Sequence, residues 1–118
     1  MKAIKIDAEN RKVEEIEINN LIDMQKAVGG FIQVGYGFPD TPDVIFVDEE
    51  GLLKEPKNFF ALDGQTEILA GNGLILGTGK LGESIDAVTP LEYIKSKVLW
   101  MDDLAVACYM AFMQIAEF

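Results

Sequence analysis

Lys2-Ala3-Ile4-Lys5-Ile6-Asp7, then Ala8-Glu9-Asn10-Arg11, then Lys12-Val13-Glu14-Glu15-Ile16-Glu17-Ile18 is the stretch that decides the fold. Ile4 and Ile6 fall on one face at period two, with Lys5 on the other. After a segment rich in turn formers the alternation resumes, Ile16 and Ile18 opposing Glu15 and Glu17. Period-two alternation on both sides of a polar turn predicts an antiparallel hairpin with one wet face. Lysines of the first strand are then expected across from glutamates of the second, each such pair contributing about 0.2–1 kcal/mol.

Working outward, Asn20 is placed to cap a short helix over residues 21–28, with Asp23 at its third position where a carboxylate suits the helix dipole. Leu21, Met24 and Val28 share a stripe at helical spacing, and Gly29-Gly30 offers a left-handed exit. Residues 31–36 and 44–47 read as strands of a second hairpin, since the intervening loop holds Pro39 and Pro42, which no central strand tolerates. Residues 52–62 read as a connection with a helical turn around Asn58-Phe59-Phe60-Ala61. Ile68-Leu69-Ala70 and Leu74-Ile75-Leu76 are short apolar strands split by Gly71-Asn72-Gly73. Thr89-Pro90-Leu91-Glu92 has the pattern of a capped helix start, and predicts a helix from Pro90 to about Trp100. Asp102 or Asp103 can cap a further segment through Glu117, unless the two helices merge.

The fold class expected is α+β: a mostly antiparallel sheet from two hairpins plus short strands, one short helix after the first hairpin, and a hydrophobic C-terminal helix or helix pair. With 118 residues the chain suits a single domain spanning 1–118, mainly β over 1–80 and helical over 89–118.

Composition removes several classes of chemistry. The chain has no histidine, so imidazole acid–base catalysis, Ser-His or Cys-His nucleophile pairs and His-ligated metals are excluded. Twenty acidic against ten basic residues give a net charge of −10, which disfavours direct binding of nucleic acid or an anionic membrane surface. Cys108 is the single cysteine, so no intramolecular disulfide forms; among Leu104, Val106 and Met110 it is expected to be buried and inert. No signal peptide is expected, because Asp7 interrupts the N-terminus before an apolar run develops. The apolar stretch from Leu104 to Ile115 is about half the ~20 residues a membrane span needs. A cytoplasmic protein is expected.

Two stretches invite a site and fail on spacing. Gly73 to Gly79 encloses five residues before Lys80, where a P-loop has four, and Leu81 stands where Ser or Thr is required. Asp48-Glu49-Glu50 lacks the alternation of a calcium loop, so no metal and no cofactor is expected. Without histidine or an activated cysteine, no catalytic residues are assigned and the chain is read as no enzyme.

The segment 104–115 carries the clearest functional expectation. Leu104, Ala107, Cys108, Ala111 and Ile115 form one stripe, while Val106, Tyr109, Met110 and Met113 cover much of the rest. A helix apolar all round needs cover on more than one side. That cover can come from the preceding helix of the same domain, from a second copy or from another protein. Leu104, Val106, Tyr109, Met110 and Met113 are the candidate interface residues, and a homo-oligomer, a dimer, is the expected partner state. The first function expected is a non-catalytic acidic binding protein that engages a host or phage protein. The alternative is a small-ligand binding or sequestering protein for a nucleotide-like molecule, with Tyr36, Asn58, Phe59 and Phe60 lining the pocket.

The order of motifs resembles a family of small uncharacterised bacterial, phage and plasmid proteins, domain-of-unknown-function family 3846. Residues 1–13 with the acidic alternation after them are similar to its opening. Val47-Asp48-Glu49-Glu50-Gly51-Leu52-Leu53-Lys54, with Asn58 and Ala61 following, is similar to its central signature, and residues 71–77 to its closing strand. The resemblance covers roughly residues 1–80. It implies no activity and no catalytic residues; it does imply a phage or plasmid accessory setting. The hydrophobic C-terminal helix departs from the family's shorter pattern.

Overall fold

The computed structural model describes residues 1–65 and 67–116, with side chains through residue 112 in the last helix. The first hairpin forms from β1 (Lys2–Asp7) and β2 (Lys12–Glu17). Its turn is held by the Asp7 carboxylate, which accepts from the Asn10 N–H at 3.0 Å and from the Asn10 side-chain amide at 2.8 Å. Lys2 stands opposite Glu17 and Lys5 opposite Glu14, as the alternation predicts. The single wet face does not form. Val13 is opposite Ile6 and Ile16 is opposite Ala3, so the two pairs point to opposite sides and both sides are covered.

The reason lies in what stacks on each side. α1 (Leu21–Val28) starts where expected: Asn20 Oδ1 accepts from the Asp23 N–H at 2.9 Å, and Asp23 in return accepts from the Asn19 N–H at 2.9 Å. Gly29 ends it in the left-handed conformation at φ 90°. Its Met24, Ala27 and Val28 cover Ala3, Ile18, Leu74 and Leu76 on one face of the sheet.

β3 (Ile32–Gly37) and β4 (Asp43–Asp48) form the second hairpin, with a bulge between Val34 and Tyr36. β7 (Gly73–Thr78) lies between the two hairpins, and the antiparallel order is β2-β1-β7-β4-β3. Central and covered on both faces, β7 is apolar at every position of Leu74-Ile75-Leu76, all fully buried. β8 (Ser84–Ile85) extends the edge of β7 beyond β1.

A smaller sheet covers the other face. It has the order β6-β5-β9, from β6 (Leu69–Ala70), β5 (Asn58–Leu62) and β9 (Val98–Asp102). Phe60, Leu62 and Leu69 of this sheet meet Ile4, Ile6, Ile45 and Ile75 of the larger one, with Ile94 of α2 (Leu91–Lys97) closing one end. The core therefore lies between two stacked sheets, with α1 on the far side of the larger one.

Residues 58–61, expected as a helical turn, are thus the central strand of the second sheet. Phe60 points inward and is fully buried, Phe59 points outward, and the backbone partner is β9, some 40 residues later. The helix expected to reach Trp100 stops at Lys97 for the same reason: Val98 to Asp102 pair with Leu62 to Asn58. The helix start also differs. Thr89 makes no cap; Pro90 holds the cap position, and no side-chain cap bond forms. The Thr89 N–H instead donates to the buried Asp43 carboxylate at 2.8 Å.

The glycine-rich stretch is explained by packing. Gly71 turns at φ +74°, and a Cβ at Gly73 would lie 2.6 Å from the Phe60 ring. A short 3₁₀ turn at Gly51–Lys54 links the sheets, and α3 (Asp103–Ala116) ends the described chain. No helix among the described residues is long and apolar enough to cross a membrane.

Candidate functional site

α3 begins immediately after β9. The Ala105 N–H donates to Asp102 Oδ1 at 2.7 Å, and Asp103 puts a further carboxylate in the first turn, where the helix dipole favours it. The helix folds back across the outer face of β5. Only part of its apolar circumference finds cover there. Val106 is half-buried, whereas Leu104 is 69%, Met110 56% and Phe112 65% exposed. Tyr109 is also exposed. Met113 lies where side chains are outside the described residues. Cys108, expected to be buried, is exposed, because the side of α3 that carries it faces away from the sheet.

Between α3 and the sheets runs a groove of about 530 Å³. Phe59 lies in it; Val106, Tyr109 and Met110 line one side, and Val34 and Leu52 another. Its rim is acidic, with Asp48, Glu49 and Glu67. Asp48 is not a free carboxylate. Burial pushes its carboxyl up, but the Lys54 ammonium bonded to it and the Glu50 N–H outweigh burial and hold it below the usual value. Lys54 also donates to the Gly29 carbonyl at 3.0 Å, so it ties the 3₁₀ turn to the end of α1. Among the described residues no cluster of histidine, cysteine, aspartate or glutamate is arranged to hold a metal ion.

The four residues expected to share a ligand pocket do not converge. Phe60 is in the core between the sheets, and Phe59 is a buried part of the groove. Asn58 is half-buried at the start of β5, where its carbonyl accepts from the Gly71 N–H at 3.0 Å. Tyr36 packs edge-on against Phe38 at 6.1 Å between ring centres. Burial, and then the charge of Glu67, push its phenol up to about 12. Its hydroxyl has no hydrogen-bond partner among the described residues.

A second hollow, of about 520 Å³, opens beside α2 and is lined in part by Phe38, Leu62, Tyr93, Ile94 and Lys97. The Lys97 ammonium lies 5.6 Å from the centre of the Tyr93 ring. None of these residues was singled out from the sequence as a site; loops and α2 bring them together from distant positions. The run Val98-Leu99-Trp100-Met101 alternates strand formers with helix formers, so its sequence leaves β9 ambiguous.

No curated protein and no solved structure matches the chain. A family model described as "Domain of unknown function (DUF3846)" matches residues 1–99, most of the chain, which belongs to that family. The match extends past the first 80 residues into β9, and α3 lies beyond it.

Proposed function

We propose that this member of the family is a non-catalytic binding protein that works as a self-associated unit, with α3 and its groove as the contact surface. The exposure of Leu104, Met110 and Phe112 within one chain supports this. Apolar side chains left open together on one element mark interaction surfaces more often than chance scatter does. The surface suits a protein partner rather than nucleic acid: it is apolar, its rim is acidic, and the chain carries a net charge of −10. A second copy is the first occupant. A host or phage protein with a basic patch is the second, engaged by the acidic rim in a cytoplasmic, phage- or plasmid-type accessory role.

Met110→Glu tests the proposal. The variant places a charge on an exposed position, so the fold survives, but burying that charge against a partner is strongly unfavourable. Light scattering is expected to give an assembled wild type and a folded, monomeric variant. A monomeric wild type, or a variant as assembled as wild type, contradicts the proposal.

The small-ligand alternative moves from the four aromatic and amide positions to the hollow beside α2. Phe38 and Tyr93 offer ring faces there and Lys97 a cation. A thermal-shift panel of nucleosides and nucleotides tests it, and no shift with any of them removes it.

A further inference from the structure

β9 is an edge strand: among the described residues it pairs only with β5. Its sequence from Val98 to Asp102 holds no proline and no lysine, the residues that usually protect an open edge. α3 packs against both β5 and β9, and no strand among the described residues takes the other side of β9.

The ladder shows which main-chain groups point outward. The Asp63 N–H donates to the Lys97 carbonyl at 2.8 Å, one step beyond the Leu62–Val98 pair. Residues in an antiparallel ladder alternate between bonded and non-bonded pairs. Lys97, Leu99 and Met101 therefore direct their main-chain groups at β5, and Val98, Trp100 and Asp102 direct theirs at the open edge. Two of those outward groups are already used. The Val98 N–H donates to the Ile94 carbonyl at the end of α2. The Asp102 carbonyl precedes α3 and accepts its first intrahelical bond. Both groups of Trp100, the Val98 carbonyl and the Asp102 N–H remain.

That remainder is self-complementary. We propose that a second copy of this chain pairs antiparallel with β9 about a two-fold axis at Trp100, joining the two smaller sheets into one. In this register Trp100 exchanges both bonds with its counterpart, and each Asp102 N–H meets the other copy's Val98 carbonyl. The Val98 N–H and Asp102 carbonyl, taken by the helices, are the groups that would have faced each other, so no edge group is stranded. Charge favours the same register. Lys97, the last residue of α2, and Asp102 and Asp103, at the start of α3, flank opposite ends of β9. Antiparallel pairing therefore brings the cation of one copy near the carboxylates of the other at each end of the seam, whereas parallel pairing places like charges side by side. Leu99, 50% exposed, gains Met101 of the second copy as its neighbour on the outer face. Both α3 helices then lie on that same face, flanking the seam.

This pairing rests on the self-association proposed above and adds the β9 edge to the α3 face as a second contact between the same two copies. The single tryptophan is at the axis, so its emission reports on the seam without a label. The full chain, Lys97→Glu and the double variant Lys97→Glu/Asp103→Lys are compared by sedimentation and by tryptophan emission through serial dilution. Wild type is expected to be a dimer whose emission shifts to the red as it dissociates. Lys97→Glu is expected to weaken the dimer about tenfold, because the charge contacts at the two ends of the seam turn from attraction to repulsion. The double variant is expected to restore it. A dimer that Met110→Glu breaks but Lys97→Glu leaves unmoved overturns edge pairing and leaves association through α3. Weakening without restoration overturns the register. A wild type that is monomeric throughout overturns both proposals.

Discussion

Replacing Asp43 with alanine removes the acceptor that holds the segment before α2 against the start of β4. Asp43 is 1% exposed. Its carboxylate accepts from the Val88 N–H at 3.1 Å and from the Thr89 N–H at 2.8 Å, and Thr89 is itself buried. Each such bond to a charged acceptor contributes about 1.5–3 kcal/mol, and alanine leaves both donors without a partner. A loss of about 3–5 kcal/mol is expected from Asp43→Ala, a large share of the 5–15 kcal/mol typical of a domain. Asp43→Asn keeps one acceptor oxygen but turns an NH₂ group toward a donor, so its cost is expected to be about half as large. Urea unfolding followed by circular dichroism measures both. With a slope of about 1–3 kcal/mol per molar, the alanine midpoint falls by about 2 M. An alanine variant within about 1 kcal/mol of wild type at unchanged slope refutes the assigned role, and an asparagine variant as costly as alanine refutes the geometric part of it.

Three further outcomes follow from named groups. Asp48 has a folded-state carboxyl below its ordinary value of 3.8, so it contributes stability above that pH and loses it as pH falls through the lower folded value. Lys54→Met is expected to cost about 1 kcal/mol at neutral pH, small because Lys54 is half exposed, with the difference from wild type vanishing in acid unfolding curves. Tyr36, pushed up to about 12, favours the folded state until the unfolded phenol ionises near 10 and loses that contribution as pH rises to the folded value. Tyr36→Phe is expected to flatten the alkaline decline in stability, and the 295 nm absorbance difference between the two proteins should titrate near 12. Phe60→Ala empties the centre of the contact between the sheets and is expected to cost about 3–5 kcal/mol by urea unfolding. A cost under about 1 kcal/mol would mean the smaller sheet contributes little to the core.

The sequence was most legible where structure is local. The first hairpin, α1 with its Asn20 cap, and the second hairpin all depend on residues within a few positions of each other, and each forms as patterned. Face assignment within the first hairpin failed because Val13 and Ile16 are both apolar, and only a two-sided environment shows that they point apart. β5 and β9 were missed because each is a strand only in the presence of the other. Phe59-Phe60 and Leu99-Trp100 suit a helix or a strand equally, and the pairing that decides joins positions about 40 residues apart. The spacing of Thr89 to Glu92 is that of a helix cap, but Asp43, remote in sequence, takes the Thr89 N–H. At the candidate site, the apolar character of α3 was visible in residues 104–112. The groove beneath it was not, because Phe59 reaches it only through the unexpected strand.

The mass of the full chain in solution, measured by sedimentation equilibrium over a range of concentrations, tests the proposed assembly most directly. A protomer of 13.0 kDa whose α3 face and β9 edge are open to solvent is expected to sediment as a species of twice that mass. A species of 13.0 kDa at every concentration, with α3 retaining its helical signal and its side chains accessible, would contradict it.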